Sequence, residues 1–278
     1  KEQNLIENTI VIFATDNGGQ FGNSPDNTIG YNMGFRGQKG DIEEAGHRVP
    51  FFIRWPNGEI EGGTDVNVLA AHIDLLPTLS NLCGLTLPEN MNMDGIDLSN
   101  AIYGKSDSNT NRTVFVHNNQ DWKPPHPTAK TCIMKGNWRL LHGKELYDIE
   151  KDPLQNNDIS DEFPEVVHHL LSENKDFIEK AQQREEYNNF AYEVIGSANQ
   201  EITKLTIQNA IGDHGPVWKQ EQIAKGSYNK NNQYALEFSE DGKYQISCRR
   251  WPRENSGSIT GMPKTNPEYL FNYKTISP

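Results

Sequence analysis

The sequence predicts an α/β fold that is followed by a small antiparallel sheet and a β-rich extension. An apolar run at residues 10–14, Ile-Val-Ile-Phe-Ala, passes directly into polar residues, as a buried strand does at its carboxyl end. Short apolar segments separated by turn-prone residues follow between 113 and 148, and alternating apolar residues recur between 234 and 248. The predicted regions are an α/β core at 1–110, a small antiparallel sheet with a helix at 111–188, and a β-rich module at 189–278.

The apolar run at residues 10–14 is interpreted as a strand of a parallel sheet with both faces covered by helices. In such sheets ligands bind beyond the carboxyl ends of the strands, which is where Asp16 and Asn17 follow in the sequence. A carboxylate beside an amide offers hard oxygen ligands to a hard divalent cation, on a backbone that Gly18 and Gly19 make adaptable. The alternative is a plain Asx turn after the strand.

A second candidate region is the run Phe-Arg-Gly-Gln-Lys-Gly at residues 35–40. Lys39 provides a compact positive charge that suits an anion, although a solvated loop lysine is the alternative. The formal net charge of the chain is -12, and such a surface repels polyanions at long range. Binding of an anionic substrate therefore requires a local basic patch, for which Arg36, Lys39 and Arg48 are the candidates.

The rest of the predicted core contains one strand, one helix and a loop. Residues 49–55 predict a second short strand, closed by a turn at 56–58. Apolar residues between 73 and 82 have helical spacing, with Pro77 predicted to kink the helix. Residues 88–97 predict a loop.

The second region is predicted to contain four short strands and one helix. The strand candidates are residues 114–116, 132–134, 138–141 and 146–148. Residues 163–181 carry a single apolar stripe at helical spacing, with Ser160 or Asp161 as the predicted cap and Pro164 in the first turn.

The third region is predicted to contain a β-hairpin. Apolar residues alternate at 234–238 and again at 244–248, and residues 240–242 supply the turn. Residues 202–207 and 259–262 are weaker strand candidates.

Several motifs together resemble the second half of the type I sulfatases. They are Thr-Asp-Asn-Gly-Gly at 15–19, Arg-Gly-x-Lys-Gly-x-x-x-Glu-x-Gly-x-Arg-Val-Pro at 36–50, His-Ile-Asp-Leu-Leu-Pro-Thr-Leu at 72–79, Met-Asp-Gly-Ile-Asp-Leu at 93–98, and Lys-Glu-Leu-Tyr-Asp-Ile-Glu-Lys-Asp-Pro at 144–153. The resemblance covers roughly residues 1–186 and implies the end of an alkaline-phosphatase-like sulfatase core. The third region resembles the β-rich extension of some bacterial polysaccharide sulfatases, through Arg-Arg-Trp-Pro at 249–252.

The resemblance implies roles for five residues of the first two motifs. Asp16 and Asn17 would be ligands of a divalent cation, usually Ca²⁺, and Lys39 would place its ammonium on a sulfate oxygen. Glu44 and Arg48 would form a charge pair or cap that holds the turn of Lys39. The expected activity is hydrolysis of a sulfuric ester in a sulfated polysaccharide or oligosaccharide.

Arg36, Trp122 and Lys123 are further candidates for substrate binding. Aromatic rings stack on sugars and lysines bind sulfate, so the loop around Trp122 and Lys123 is a candidate sugar subsite. A loop anchored by a buried Trp122 is the alternative. Two other functions stay open: a phosphatase or phosphodiesterase of the same superfamily, and a non-catalytic glycan-binding relative.

The nucleophile of the resembled family lies outside the motifs found here. Type I sulfatases use a formylglycine made from Cys, or sometimes Ser, in a Cys-x-Pro-x-Arg motif, and Cys83, Cys132 and Cys248 do not stand in such a motif. We therefore expect the chain to be a C-terminal fragment that lacks the nucleophile and is inactive by itself. The expected location is periplasmic or secreted, with no nucleic-acid partner and no membrane span. No oligomeric state is predicted.

Overall fold

A computed structural model of the chain describes most of its residues, in two compact units, 1–183 and 184–278. The described residues are 5–20, 31–60, 62–105, 111–118, 128–183, 192–211, 233–251 and 258–261. The predicted boundaries after 110 and after 188 stay predictions. No helix of the described ranges is long and apolar enough to cross a bilayer.

The first apolar run forms strand β1, Val11–Ala14, which pairs antiparallel with β2, Phe51–Arg54. The predicted second strand is confirmed. Among the described residues, however, β1 has no parallel partner and is not buried on both faces, as had been expected. Phe13 is 61% exposed and Phe52 is 65% exposed. The reason is physical: no second layer of the described residues packs on the Phe13 and Phe52 face of this two-stranded ribbon, and on its other face Ile12 and Ile53 are only half-buried.

Short helices connect the remainder of this region. A 3-10 turn at Ile6–Asn8 precedes β1, another at Pro56–Gly58 closes β2 as predicted, and α1 is the single turn Glu44–His47. A 3-10 turn at His72–Asp74 leads into α2, Leu75–Leu82, and α3 is Ser99–Ile102. Pro77 lies in the first turn of α2, where its missing N–H has no partner within the helix, so the predicted kink is wrong.

The second region forms the predicted four-stranded antiparallel meander. Its strands, in spatial order, are β3 (Thr113–His117), β4 (Thr131–Lys135), β5 (Trp138–Leu141) and β6 (Glu145–Asp148). Helix α4, Pro164–Gln182, begins with Pro164 as predicted. Its N-cap is Phe163 without a side-chain hydrogen bond, so the predicted caps Ser160 and Asp161 are wrong.

Both faces of this small sheet are covered. On the helix face, Ile133, Leu140 and Leu146 pack with Leu170 of α4. On the loop face, which is the opposite one, Ile42 packs into the cluster Val114, Cys132, Met134, Leu141 and Tyr147. The segment that carries Lys39 therefore takes part, through Ile42, in the core of the small sheet.

The second unit differs from the predicted hairpin. Strand β7, Glu193–Ile195, pairs in parallel with β8, Leu236–Phe238, and residues 243–249 form no strand. The Tyr244 hydroxyl donates to the Glu240 carbonyl at 2.5 Å, and its ring packs edge-on against Phe238 at 4.8 Å. Tyr244 thus stabilises a local turn instead of a returning strand. Residues 202–206 form no strand either, and Ile207–Asn209 is a 3-10 turn. Of the candidate at 259–262, residues 259–261 form a turn, and residue 262 lies outside the described residues.

Candidate functional site

Asp16 and Asn17 follow strand β1 directly and form a turn that neighbouring side chains hold in place. The Thr15 hydroxyl donates to the Asn17 carbonyl at 3.2 Å. The His72 Nε2 atom lies 2.9 Å from the Thr15 carbonyl oxygen, so the 3-10 turn before α2 contacts the residue that follows β1. Asp16 is exposed and Asn17 is half-buried, and neither side chain has a polar partner among the described residues. Both side-chain oxygens therefore have lone pairs for a ligand.

The turn that carries Lys39 lies against the Asp16 turn through two backbone hydrogen bonds. The Lys39 amide donates to the Gly19 carbonyl at 2.9 Å, and the Gly18 amide donates to the Gly46 carbonyl at 2.9 Å. Lys39 is exposed and has no ion-pair partner in the described ranges. The structure thus brings together the backbones of the two motifs that the sequence analysis singled out.

Gly18 and Gly46 are required because these two turns approach so closely. A Cβ atom on Gly18 would lie 1.6 Å from the Ala45 carbonyl oxygen, and one on Gly46 would lie 2.0 Å from the Asp41 carbonyl oxygen. Neither distance is possible for a real side chain, so both positions exclude alanine without a backbone shift. The role of Gly18 is close approach, which differs from the adaptable backbone that the sequence predicted.

The Glu44 carboxylate, five residues after Lys39, is buried, with its side chain only 2% exposed. It accepts from Arg48 Nη1 at 3.0 Å and from Arg139 Nε at 2.9 Å. The Glu44 amide donates to Gln155 Oε1 at 3.1 Å. The predicted pairing of Glu44 with Arg48 is present, and two residues from the small-sheet region join it. His47, whose pKa burial lowers, lies 3.9 Å from the same carboxylate.

Arg36 contacts the small sheet. Its Nη1 atom donates to Glu145 Oε2 at 3.0 Å and to the Tyr147 hydroxyl oxygen at 2.9 Å. Burial and the hydrogen bond to Glu145 raise the pKa of Tyr147 to about 12. Burial alone would raise the pKa of Glu145, but the hydrogen bonds from Tyr147 and Arg36 outweigh it and lower that pKa. The Arg36 side chain remains 39% exposed, so its predicted contact with substrate stays a prediction.

Two other predicted substrate contacts, Trp122 and Lys123, lie outside the described residues. The flanking Asn118, which follows β3, donates from its side-chain amide to the Gly40 carbonyl oxygen. The small sheet thus reaches the turn of Lys39 from this side as well. Cys132 is fully buried, and burial raises the pKa of its thiol, which leaves it unreactive.

The donor chemistry of the Asp16 turn fits part of a calcium site. The described residues contain no group of three or more His, Cys, Asp or Glu side chains that would hold a metal. Ca²⁺ takes about six to eight oxygen ligands, and Asp16 with Asn17 supplies only two residues of hard oxygen donors. The pair is therefore suited to a shared site and is too small to hold the cation alone.

Sequence patterns did not indicate Arg139, Gln155 or Asn118 as part of this region, and His72 lies in the motif at 72–79 without a role assigned to it. Arg139 had one signal: it is a charged residue within the apolar strand Trp-Arg-Leu-Leu, and such a residue is buried only when it is paired. Nothing local marks Gln155 or Asn118, because their partners, Glu44 and Gly40, are distant in the sequence.

The family model described as N-sulphoglucosamine sulphohydrolase, C-terminal, matches residues 38–183, which is more than half of the chain. An N-acetylgalactosamine-6-O-sulfatase of Bacteroides thetaiotaomicron is 32% identical over 186 residues, covering 60% of this chain and 35% of that protein. Human arylsulfatase A is 39% identical over 109 residues, covering 37% of this chain and 20% of that protein. The chain spans about a third or less of the length of these curated relatives.

Solved structures agree on the fold. The crystal structure of Ps i-CgsB superposes with a TM-score of 0.56 at 22% identity, covering 66% of this chain and 39% of that one. At this identity the likeness shows the fold alone. The chain belongs to the sulfatase family, through the region described as the C-terminal part of N-sulphoglucosamine sulphohydrolase.

Proposed function

We propose that this chain is part of a sulfuric ester hydrolase that removes sulfate from a sulfated polysaccharide or oligosaccharide. The observation that carries the proposal is the pairing of the Asp16 turn with the Lys39 turn, through Lys39 to Gly19 and Gly18 to Gly46. This pairing brings close together the backbones of the turns that carry the hard oxygen donors Asp16 and Asn17 and the cation Lys39, a combination of residue types that suits an anionic ester. The similarity to an N-acetylgalactosamine-6-O-sulfatase supports a carbohydrate substrate.

Asp16 and Asn17 are proposed to hold a Ca²⁺ ion together with further ligands of a longer protein. When bound, the ion supplies Lewis-acid polarisation of an ester oxygen. Lys39 is proposed to contact a sulfate oxygen. A fixed ammonium stabilises charge that develops on the departing group more in the transition state than in the ground state, so Lys39 contributes to kcat.

The nucleophile, a formylglycine, is proposed to come from a part of the protein that precedes this chain. The exposed apolar side chains of β1 and β2 support this proposal, because the rest of an α/β core would cover them. The chain alone is then expected to be inactive. A periplasmic or secreted location is part of the same proposal.

The test uses the full-length protein that contains this chain, assayed for sulfate release from a sulfated oligosaccharide and from an aryl sulfate. The variant Lys39→Ala is expected to lower kcat/KM by about 100-fold or more, as loss of one transition-state donor does elsewhere. The matched control is Lys175→Ala, which removes an exposed lysine of α4 and is expected to leave kcat/KM unchanged. Equal kcat/KM in Lys39→Ala and wild type would refute the role of Lys39.

A calcium titration of the same protein tests the metal role separately. Asp16→Asn is expected to weaken Ca²⁺ binding at least tenfold by calorimetry, because a charged ligand is lost. Turnover of phosphate monoesters or diesters without sulfate release would identify a phosphoryl-transfer enzyme instead. Binding of the sulfated oligosaccharide without any turnover would identify a glycan-binding relative.

A further inference from the structure

We propose that Arg139, on strand β5 of the small sheet, is a positioning residue for Lys39 and for the Asp16 turn. The inference rests on the proposed function for its catalytic consequence. Its structural part, a mechanical link from the small sheet to the candidate site, is tested independently. Arg139 acts through Glu44 and does not itself contact the substrate.

Arg139 is held in one orientation by its own strand. Its Nη1 atom donates to the Gly136 carbonyl at 2.8 Å and to the Trp138 carbonyl at 2.9 Å. The side chain is only 7% exposed, and its Nε atom donates to Glu44 at 2.9 Å. A planar guanidinium with three such bonds is a rigid donor, which a flexible lysine ammonium would not reproduce.

Glu44 transmits this position to the two motif turns. Glu44 is the first residue of α1, in which the Ala45 amide donates to the Arg36 carbonyl at 3.0 Å and the Gly46 carbonyl accepts from Gly18 at 2.9 Å. Gly18 is two residues from Asp16. A displacement of Glu44 therefore shifts the backbone against which the Asp16 turn lies.

The segment that carries Lys39 is attached to the same sheet on both sides. Arg36 contacts Glu145 and Tyr147 of β6, and Ile42 packs into the loop-face cluster. Lys39 lies between these two attachments, so the small sheet determines where its backbone runs. A misplacement of about 1 Å at a reacting centre costs about 100-fold in rate, which gives such an attachment catalytic value.

Stability alone is a weak explanation for this buried charge network. An ion pair removed from water gains little net free energy, and apolar residues of similar volume are often as stable. Leu140 and Leu141 on the same strand show that β5 accommodates apolar residues on both faces. A guanidinium at 139 is explained better by what it orients.

The first experiment measures amide hydrogen exchange in the full-length protein and in Arg139→Met. Exchange at the Gly18 and Lys39 amides, measured relative to the α4 amides that report global stability, is expected to be at least tenfold faster in the variant. The matched control is Lys135→Met on the neighbouring strand, which removes the cation that pairs with Glu173 at the α4 side of the sheet. Unchanged exchange at Gly18 and Lys39 in Arg139→Met, or equal acceleration in Lys135→Met, would overturn the proposal.

The second experiment is a double-mutant cycle on sulfate-ester hydrolysis. Arg139→Met is expected to lower kcat by about 10- to 100-fold with a smaller change in KM, but by less than about threefold when Lys39 is already Ala. Equal losses in both backgrounds would mean that Arg139 does not act through Lys39. If Arg139→Met does not fold, Arg139→Lys, which keeps the charge but loses the fork of donors, is measured in both experiments with the same criteria. Absence of sulfate-ester turnover in the wild type would refute the proposed function, and the exchange result would still decide the link.

Discussion

Residues 1–183 contain two sheets whose strands are similarly apolar but differ in how far they are buried. The β3–β6 sheet has its apolar side chains buried on both faces, by α4 on one and by the Ile42 segment on the other. The β1–β2 ribbon has equally apolar strands, yet Phe13, Phe51 and Phe52 are exposed. A strand is therefore buried only where a second layer of helix, sheet or loop packs on it, and an apolar sequence alone does not supply that layer.

The candidate site lies between these two regions. Asp16 and Asn17 follow the poorly covered ribbon, whereas the Lys39 segment is attached to the well-packed small sheet. Two backbone hydrogen bonds join the two parts. We infer that the small sheet is more stable than the β1–β2 ribbon and holds the site in position.

The largest expected effect comes from the buried carboxylate that joins the site to the small sheet. Glu44→Gln leaves Arg139 and Arg48 without a counter-charge, and loss of one partner of a buried ion pair costs about 3–5 kcal/mol. The free energy of unfolding is measured by urea denaturation. Glu179→Gln, at an exposed position of α4, is the control and should change it by less than about 0.5 kcal/mol. If Glu44→Gln lowered the free energy of unfolding no more than this control does, the inference that the small sheet holds the site in position would be contradicted.

Truncation of matched apolar side chains compares the two sheets directly. Leu140→Ala removes a fully buried side chain of the helix face and should lower the free energy of unfolding by about 2–5 kcal/mol. In residues 1–278 studied alone, Phe13→Ala removes a ring that is already exposed in the ribbon, so the expected change is below about 1 kcal/mol. Similar losses in the two variants, measured by urea unfolding, would show that the ribbon is covered after all.

Acid should weaken the attachments of the small sheet. Burial alone would raise the pKa of Glu173, but hydrogen bonds from Lys135 and Thr113 lower it, and the pKa of Glu145 is also lowered. Because these pKa values are lower in the folded state, the stabilisation is present above the ordinary value of 4.5 and is lost as pH falls through the folded values. Each pair should contribute about 1 kcal/mol or less, since both carboxylates are partly exposed.

The free energy of unfolding is measured by urea denaturation from about pH 6 to about pH 3. This range of ~3 pH units includes the ordinary pKa of a carboxyl group. Glu173→Gln and Glu145→Gln should each flatten its decline toward acid pH. An unchanged pH dependence in both variants would show that these pairs do not stabilise the fold.

The smallest perturbation is thiol labelling, which leaves the fold intact. Cys83 and Cys248 are exposed and should react readily with a disulfide reagent. Cys132 is buried in β4, burial raises the pKa of its thiol, and it should react only on unfolding. Rapid labelling of Cys132 in the folded chain would mean that the small sheet opens more readily than its buried core implies.

Prediction from sequence succeeded where local pattern and physical cause coincide. Strands 138–141 and 146–148 and the helix after Pro164 were predicted from period and turn residues, and all three are confirmed. The hairpin at 234–248 was wrong, because Tyr244 bonds back to Glu240 and β8 takes a distant parallel partner instead. Alternation specifies a strand's faces but not its partner.

The candidate site divides in the same way. Asp16, Asn17 and Lys39 were selected from the sequence because the chemistry of their side chains and the neighbouring motif residues is local information. Arg139 and Gln155 were missed because they reach Glu44 from about a hundred residues away in the chain. No periodicity or turn signal reports such a contact.

The sequence by itself determined the family, the elements of the small sheet and the residues with suitable chemistry, since composition, period and motif are properties of adjacent positions. Only the tertiary structure decided that the Lys39 turn lies against the Asp16 turn, that Arg139 donates to Glu44, and that the described residues leave Phe13 of β1 exposed. Each of these depends on which distant segments meet, and close approach and burial are settled by the packing of the whole unit.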